Sequence, residues 1–409
     1  MMTEKDQIDF VILGDGITAD IFTKVVSLSG KSFYRISEQR SSIDEQNARS
    51  LALSPSTMKM LKFLDINLDY ERLDKMEVYE GKIGGAPEKG KVIFDKKNNN
   101  NESLAYIVKY NDIKKTIRLK ASEKELTIFD KSISSLDLTN NSVCIKMDEG
   151  QELIAKNIVF TEKLSPVLLN ILKSKYEEKD YKQKSIVATL DHELPHKNIA
   201  YQFFLSGGPL ALLPLRTSNG NNRSSLIWST DNYIVDDILN TGDLRDTLNN
   251  MLSSITGQIN ISEGPLSVSL VKRLLKGRIN DKFILIGESM RQMHPMAGQG
   301  WNQAIRDISY FADAIAESQS LGLGLESSPS FTAFKRLRKV EGDGMVNFID
   351  LVNSSFSSES SISKGFRRNV MKLINSFSPI NSLFIKEAEG GLVRKPNLLN
   401  GEAPGSKNI

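Results

Sequence analysis

The sequence has few of the residues that form disulfides and metal centres. Its 409 residues include one cysteine, Cys144, and three histidines. A single cysteine excludes an internal disulfide and a zinc site built from several thiolates, and it indicates a reducing compartment. Cys144 lies in the segment SVCIKM, where we expect a small buried side chain in a strand.

Net charge and long apolar runs are also limited. The chain has 53 Lys and Arg against 50 Asp and Glu, and a net charge of +3 argues against a dedicated nucleic-acid binder. The first ten residues, MMTEKDQIDF, are polar, and no apolar run reaches the length of a membrane-spanning helix. We therefore expect a cytoplasmic protein, with the inner face of a membrane as the alternative location. Its 40% hydrophobic residues suffice for a full core and two joined units.

The N-terminal segment carries a dinucleotide-binding pattern. An apolar strand over residues 9–13 leads into Gly14-Asp15-Gly16-Ile17-Thr18-Ala19, followed by an amphipathic segment and a second strand that ends near Glu38. In this GxGxxA form, Gly14 permits the turn, Gly16 lets a pyrophosphate approach the backbone, and Ala19 lets helix and strand pack. Glu38 stands where a carboxylate can accept ribose hydroxyls. The alternative is a glycine turn that binds nothing.

A second glycine-rich loop follows the short apolar run at residues 283–286. Proline and two glycines between Pro295 and Gly300 cannot continue a strand or a helix, so we expect a loop whose backbone lies close to a ligand. Apolar residues then recur at helical spacing: Trp301, Ala304, Ile308, Phe311, Ala312 and Ile315. Free N–H groups and the positive end of a helix dipole at this loop predict an anion site.

Both ends together resemble one family, the class A FAD-dependent aromatic monooxygenases, specifically the ubiquinone-biosynthesis hydroxylases of the UbiH type. The resemblance rests on the FAD fingerprint, on Arg49-Ser50-Leu51-Ala52-Leu53-Ser54, and on the loop from His294 to Asn302, HPMAGQGWN, followed by Arg306-Asp307. The segments DYKQKSIVAT, GPLALLPL and SLIWS resemble the middle of the family. The resemblance spans nearly the whole chain, and the Gly-Gln-Gly loop is its most specific element.

The resemblance implies an α/β fold. We expect a Rossmann-like FAD-binding domain with an inserted β-sheet substrate domain and C-terminal helices. The FAD-binding domain is expected to be discontinuous, over residues 1–75, 105–180 and 275–350, the β-rich substrate domain to cover 76–104 and 181–274, and the C-terminal helical tail 351–409.

The resemblance also implies a set of cofactor-binding residues: Gly14, Gly16, Ala19, Glu38, Arg49, Gly287, Glu288, Pro295, Ala297, Gly298, Gln299, Gly300 and Asn302. Pro295, Gly298, Gln299 and Gly300 are expected to face the flavin ring, and a side chain at Gly298 or Gly300 would collide with the ring or forbid the needed φ. No catalytic side chain and no metal are expected, because the flavin carries the chemistry. For His294 we favour a residue that orders the loop over a proton-transfer role.

The implied reaction is FAD-dependent hydroxylation of the aromatic ring of a polyprenylated phenol in ubiquinone biosynthesis, through a flavin hydroperoxide, with NAD(P)H and molecular oxygen as co-substrates. Two alternatives stay open: a noncatalytic assembly factor of the same pathway, and another FAD-dependent reaction on an isoprenoid. The implied partners are the polyprenylphenol, a ubiquinone-biosynthesis complex and a membrane surface.

Three features depart from the family pattern: two stretches, and the acid after the second strand, which stands one place late at Glu38. The family has a Gly-Ala-Asp-Gly-Ala-like stretch, associated with flavin and NADPH handling, where this chain has Phe160-Thr161-Glu162-Lys163-Leu164. The family has Gly-Asp or Gly-Asn where this chain has Gly287-Glu288. The first departure leaves the reductant open between NADPH, NADH and another donor.

The C-terminal segment from Gly365 to Leu392 has an apolar helical face with basic residues largely off it. Such a helix can lie in a membrane interface or pack on its own protein.

Overall fold

The structure is a computed structural model. It describes residues 7–38, 48–81, 83, 91–98, 102–139, 141–205, 207–277, 280–295, 298–357 and 395–406. The amphipathic helix expected within residues 365–392 lies outside these ranges, as does Ala297.

Strands and helices are interspersed in the first half of the chain, and long strands dominate the middle. The strands are β1 (Ile8–Leu13), β2 (Phe33–Ser37), β3 (Ser50–Leu53), β4 (Glu71–Leu73), β5 (Lys75–Glu80), β6 (Lys91–Asp95), β7 (Ala105–Lys109), β8 (Phe129–Asp130), β9 (Ile133–Leu138), β10 (Val143–Met147), β11 (Glu152–Phe160), β12 (Lys175–His192), β13 (Ile199–Leu205), β14 (Gly208–Ser218), β15 (Asn221–Asp231), β16 (Ile259–Lys276), β17 (Phe283–Leu285) and β18 (Arg291–Gln292). The helices are α1 (Ile17–Leu28), α2 (Pro55–Phe63), α3 (Tyr110–Leu119), α4 (Glu123–Leu126), α5 (Pro166–Ile171), α6 (Asn232–Thr241), α7 (Leu244–Thr256), α8 (Gln299–Ser320), α9 (Pro329–Ser357) and α10 (Asn397–Asn400).

The first sheet has the order β8-β2-β1-β11-β10-β9, with β17 also paired to β11. Its strands β8, β2, β1, β11 and β17 pair in parallel. The central strand β1 is apolar on both faces because both are covered. Phe10 and Ile12 pack with residues of α1 and α8 such as Phe22 and Phe311, and Val11 packs on the other side. The strand, glycine turn, helix and strand expected at the N-terminus are confirmed.

Cys144 lies in β10 as expected, but its side chain is only partly buried. Strand alternation turns Val143 and Ile145 into the core and leaves Cys144 on the other face. The expectation of a buried cysteine was therefore wrong.

The second sheet has the order β18-β16-β12-β15-β14-β13-β5-β6. The strands expected over residues 185–228 are confirmed within it. Residues of one face, among them Ile186, Leu226 and Trp228, pack against α6 and α7, while the opposite face points into a cavity. The long strands β12 and β16 run across the proposed boundaries at residues 180 and 275, and the division into domains stays a prediction. The remaining strands form a small sheet of order β3-β7-β4.

The C-terminal helices pack on earlier helices of the chain. The long helix α9 packs on α8, and the short helix α10 contacts both α2 and α8. Among the described helices, none combines the length and apolarity that a bilayer span requires.

Candidate active site

One large cavity of about 1400 Å³ is lined by residues of both large sheets. Its walls bring together most of the residues expected to bind a cofactor: Gly14, Gly16, Glu38, Arg49, Gly287, Glu288, Pro295, Gly298, Gln299, Gly300 and Asn302. Ala19 is fully buried in α1, where its small side chain lets the helix pack. The volume exceeds the roughly 300–1,000 Å³ typical of a single small-molecule pocket, so the cavity has room for more than one ligand.

The N-terminal turn has the backbone geometry that its glycines predict. Gly14 has φ +141°, and a Cβ there would lie 2.2 Å from the Oγ1 of Thr161. Gly16 is the N-cap of α1 with an ordinary φ of −79°. A Cβ on Gly16 would meet only a flexible side-chain atom, the Oε1 of Glu162 at 3.3 Å, and the Tyr110 hydroxyl at 3.9 Å. Gly14 is thus required by the protein itself, whereas Gly16 keeps a space open.

The Glu162 carboxylate fills that space. The backbone N–H groups of Asp15 and Gly16 donate to its Oε1 at 2.7 and 2.8 Å. A carboxylate oxygen stands here for a phosphate oxygen, because both are anionic acceptors that suit the free N–H groups of a helix N-terminus. The turn is therefore built to bind an anion. The sequence marked Glu162 as a departure from the family, but it gave no sign of this contact with a segment 146 residues away.

A buried ion pair supports the turn from below. The Nη1 of Arg35 lies 2.7 Å from the Oδ1 of Asp20, and the two side chains are almost completely buried. The Nε of Arg35 donates to the carbonyl of Gly14 at 2.9 Å. Arg118 pairs with Asp15 at 2.7 Å on the outer side. Sequence reasoning missed Arg35, although a charged residue within the β2 sequence FYRIS was a usable signal.

The loop before α8 uses its two glycines differently. Gly298 is the N-cap of α8 with φ +61°, and a Cβ there would lie 3.0 Å from the Cβ of Ala52. Gly300 has no left-handed φ, and a Cβ there would meet no described atom within 4 Å. The expectation that the backbone conformation demands glycine holds at Gly298 and was wrong at Gly300. A collision with a bound ring at Gly300 stays a prediction.

Asn302 joins the two segments that resemble the family. Its Oδ1 accepts from the backbone N–H of Ser54 at 2.9 Å and from the hydroxyl of Thr57 at 2.8 Å. Its Nδ2 donates to the carbonyls of Ala52 and Gly298 at 2.8 and 2.9 Å. The amide uses its full hydrogen-bonding capacity within the protein. Asn302 therefore holds the β3–α2 connection against the start of α8.

A buried network fixes the turn at Gly287, which has φ +60°. The backbone N–H of Gly287 donates to the Oδ2 of Asp307 at 2.9 Å. The other oxygen of Asp307 accepts from Arg291 at 2.6 Å and from Arg338 at 2.7 Å, and all three side chains are at most 2% exposed. The network ties β18, α8 and α9 to the cavity wall. Arg291 and Arg338 were not predicted from the sequence.

Glu288 follows this turn, and its side chain reaches the cavity. The Glu288 side chain is exposed to the interior of the cavity, and protein atoms enclose it on all sides of that cavity. This enclosure raises the pKa of Glu288, the positive charge of Arg49 opposes the rise, and the Glu162 carboxylate adds to it. The Arg49 guanidinium also lies 5.6 Å from the ring centre of Tyr110. Glu38 stands elsewhere on the wall, where its carboxylate accepts from the N–H of Ile133 at 3.3 Å.

His294 lines the cavity but is only 1% exposed. Its ring packs edge-on against Tyr181, with 5.4 Å between ring centres. Burial lowers the pKa of His294 to about 4, against a weaker opposing effect of Asp350. The imidazole is therefore neutral at pH 7, and its loop-ordering role stays a prediction.

Comparison with known proteins identifies the fold. No family model matches the chain. The crystal structure of pqsL, a probable FAD-dependent monooxygenase from Pseudomonas aeruginosa, superimposes on this chain with a TM-score of 0.68. The two sequences are 16% identical, and the alignment covers 86% of this chain and 97% of pqsL. The fold is that of the FAD-dependent aromatic hydroxylases. The expected α/β fold class is thus confirmed.

Sequence relatives agree with this fold. The ubiquinone hydroxylase UbiL of Rhodospirillum rubrum is 27% identical over 54% of this chain and 52% of its own length. The mitochondrial ubiquinone biosynthesis monooxygenase COQ6 of Dictyostelium discoideum is 24% identical over 73% of this chain and 70% of its own. The match thus spans about half the length of the first of these relatives. The similarity to ubiquinone-biosynthesis hydroxylases is confirmed.

Proposed function

We propose that this chain is an FAD-dependent monooxygenase that hydroxylates the aromatic ring of a polyprenylated phenol in ubiquinone biosynthesis. One observation carries the proposal: a single cavity joins the glycine turn at the start of α1, the loop at the start of α8 and an apolar sheet face. The first two suit a dinucleotide, and the third suits a hydrophobic substrate. The names of the sequence relatives supply the pathway.

The residues present fit FAD. The N–H groups of Asp15 and Gly16 already bind an anionic oxygen, that of Glu162, and a diphosphate would take its place. The open space over Gly300 would admit the ring. Glu38 would be placed for the ribose. When bound, FAD would supply the redox chemistry and the activated oxygen.

The chain itself would supply orientation and electrostatics. The N-terminus of α8, starting at Gln299, presents free N–H groups and a positive dipole end to the cavity, which stabilises negative charge on a neighbouring ligand. The apolar sheet face excludes water from the reacting atoms. Neutral His294 orders the loop and carries no charge that would compete for this site.

The reductant and the location belong to the proposal as well. We propose NADPH or NADH as the electron donor, with slow reduction because Glu162 and Lys163 replace the Asp-Gly of the family. We further propose that the C-terminal segment docks the protein on the inner face of the membrane, where polyprenylphenols reside, and that it works within a ubiquinone-biosynthesis complex.

The rival function is a noncatalytic assembly factor with the same fold. One observation favours it: Glu162 occupies the N–H groups that a diphosphate would need. An assembly factor could keep this internal contact permanently, whereas an enzyme must release it.

Flavin retention and product formation test the proposal. Gly16→Val should fold, because its side chain displaces only the flexible Glu162 side chain, but it should purify without FAD. Gly344→Val is the matched control, since Gly344 lies in α9 on the surface with open space around it. Stoichiometric FAD in Gly16→Val would contradict the assignment of the turn.

The second test separates chemistry from hydride delivery. Dithionite-reduced wild-type protein, mixed with oxygen and a prenylphenol, should give hydroxylated product detectable by mass spectrometry. Bound FAD without product from several prenylphenols would favour the assembly factor.

A further inference from the structure

The cavity face of the second sheet is mostly apolar. Strand alternation and the strand register place Val187 of β12 beside Ile227 of β15, and Ile227 beside Ala211 of β14. All three side chains line the cavity. Further along the same face lie Phe204 and Val268. Such a surface suits an aromatic or isoprenoid ligand and offers it few polar contacts.

Two serines interrupt this apolar face. Ser185 on β12 and Ser229 on β15 are register partners. Each lies two residues along its strand from Val187 or Ile227 and therefore on the same face of the sheet. Both line the cavity, and they are only 2% and 1% exposed. Their hydroxyl oxygens are 2.6 Å apart, and either can be the donor.

The pair has one donor more than it uses. Two hydroxyls carry two O–H groups, and one of these makes the bond between Ser185 and Ser229. Among the described residues, neither hydroxyl has another acceptor for the second O–H. A buried hydroxyl without an acceptor is unfavourable, so this position favours a ligand atom that can accept a hydrogen bond.

We propose that Ser185 and Ser229 form a hydroxyl subsite that donates one hydrogen bond to an oxygen on the ring of an aromatic ligand. The ligand ring lies against the apolar face, and its oxygen marks which end of the ring meets the serines. Because either serine can be the donor, the subsite tolerates small shifts of the ligand. This subsite rests on the proposed function, which supplies the aromatic ligand, and it adds a residue-level origin for the ligand's orientation.

Binding measurements test the subsite without turnover. The ligands are 2-prenylphenol and its deoxy analogue prenylbenzene, and Trp301, which lines the cavity, provides a fluorescence signal in the FAD-loaded protein. The quantity measured is the dissociation constant of prenylbenzene divided by that of 2-prenylphenol, which we call the ratio. We expect the ratio to fall about 5- to 10-fold in Ser185→Ala/Ser229→Ala, which corresponds to the loss of one neutral hydrogen bond. Prenylbenzene binding should not change.

The single variants give a sharper expectation. Ser185→Ala and Ser229→Ala each keep one O–H that can donate to the ligand, so each should retain most of the wild-type ratio. Ser224→Ala is the matched control, because Ser224 lies on the opposite face of β15 and bonds to the Nε2 of His192 at 2.9 Å. If the double alanine variant fails to fold, Ser185→Cys/Ser229→Cys replaces both hydroxyls by weak S–H donors of similar shape and should also lower the ratio.

The outcomes separate the two proposals. A wild-type ratio in both double variants would overturn the subsite and leave the proposed function standing. Failure of both ligands to bind wild-type protein that holds FAD would overturn the aromatic substrate and the subsite with it. A similar fall of the ratio in Ser224→Ala would also overturn the subsite, because Ser224 lies on the other face of β15 and does not contact the ligand.

Discussion

Replacing Glu162 by alanine should make the protein bind FAD more tightly. The carboxylate of Glu162 accepts two short hydrogen bonds, at 2.7 and 2.8 Å, from the N–H groups of Asp15 and Gly16. A diphosphate bound at the same N–H groups must first displace it. In wild-type protein part of the binding free energy is therefore spent on breaking this internal contact.

The size of the effect follows from the contact. A hydrogen bond to a charged group contributes about 1.5–3 kcal/mol net. The N–H groups of Asp15 and Gly16 share a single acceptor, Oε1 of Glu162, so we count their two bonds as one such contribution. With about 1.4 kcal/mol for each factor of ten, Glu162→Ala should lower the dissociation constant of FAD about 10- to 100-fold. Glu162→Gln keeps an acceptor oxygen but loses the charge, so its dissociation constant should fall between those of wild type and alanine.

Two measurements on the same variants, FAD binding and urea unfolding, test this explanation together. Titration of apoprotein into FAD, followed by flavin fluorescence, gives the dissociation constant, and inorganic pyrophosphate serves as a competitor. Urea unfolding of the apoprotein should show the opposite sign, because Glu162→Ala leaves the two N–H groups to water and lowers apoprotein stability by about 1–3 kcal/mol.

The control is Glu152→Ala, at the exposed start of the same strand that leads to Glu162. It should change neither quantity. Weaker FAD binding in Glu162→Ala would refute the reasoning, because it would mean that the carboxylate helps to hold the cofactor. Unchanged binding would refute it as well, since the diphosphate would then not compete for these N–H groups.

Three further changes probe the scaffold around the cavity. Gly298→Ala should cost about 1–2 kcal/mol of unfolding free energy because Gly298 has a φ of +61°. Gly300→Ala should keep the wild-type urea midpoint and weaken FAD binding. Equal losses of stability in the two variants would contradict this difference. Asp307→Asn should cost about 3–5 kcal/mol, because it removes the carboxylate that two buried arginines share, whereas Asp137→Asn, in an exposed ion pair with Lys146, should cost at most about 1 kcal/mol in the same urea assay. His294→Phe should make the unfolding free energy less sensitive to acid. The histidine binds a proton below about pH 6.5 in the unfolded state but only below about pH 4 in the folded state. Between pH 7 and pH 5 the wild type should therefore lose about 2 kcal/mol more unfolding free energy than the variant. Parallel pH profiles of wild type and variant would show that His294 does not titrate as its burial implies.

The sequence by itself determined the local elements of the site. The turn from Gly14 to Ala19 and the loop before α8 were predictable because they depend on backbone freedom at glycine and proline and on the apolar period of the next helix. These are interactions between near neighbours in the chain. Strands over residues 185–228 were predictable for the same reason, since alternation and β-branched residues mark them locally. The family resemblance added the order in which these elements assemble.

Tertiary structure decided which side chains meet. Glu162 reaches the turn only because β11 pairs with β1, and Ser185 meets Ser229 only because β12 pairs with β15 in that register. Asn302 bonds to Ser54 across 248 residues, and no local pattern encodes that partner. Hydrogen bonds and ion pairs depend on distances of a few ångströms, and packing sets those distances only after the sheets have formed. For that reason the sequence indicated which residues line the cavity, while the fold determined which of them serve the scaffold and which stay available to a ligand.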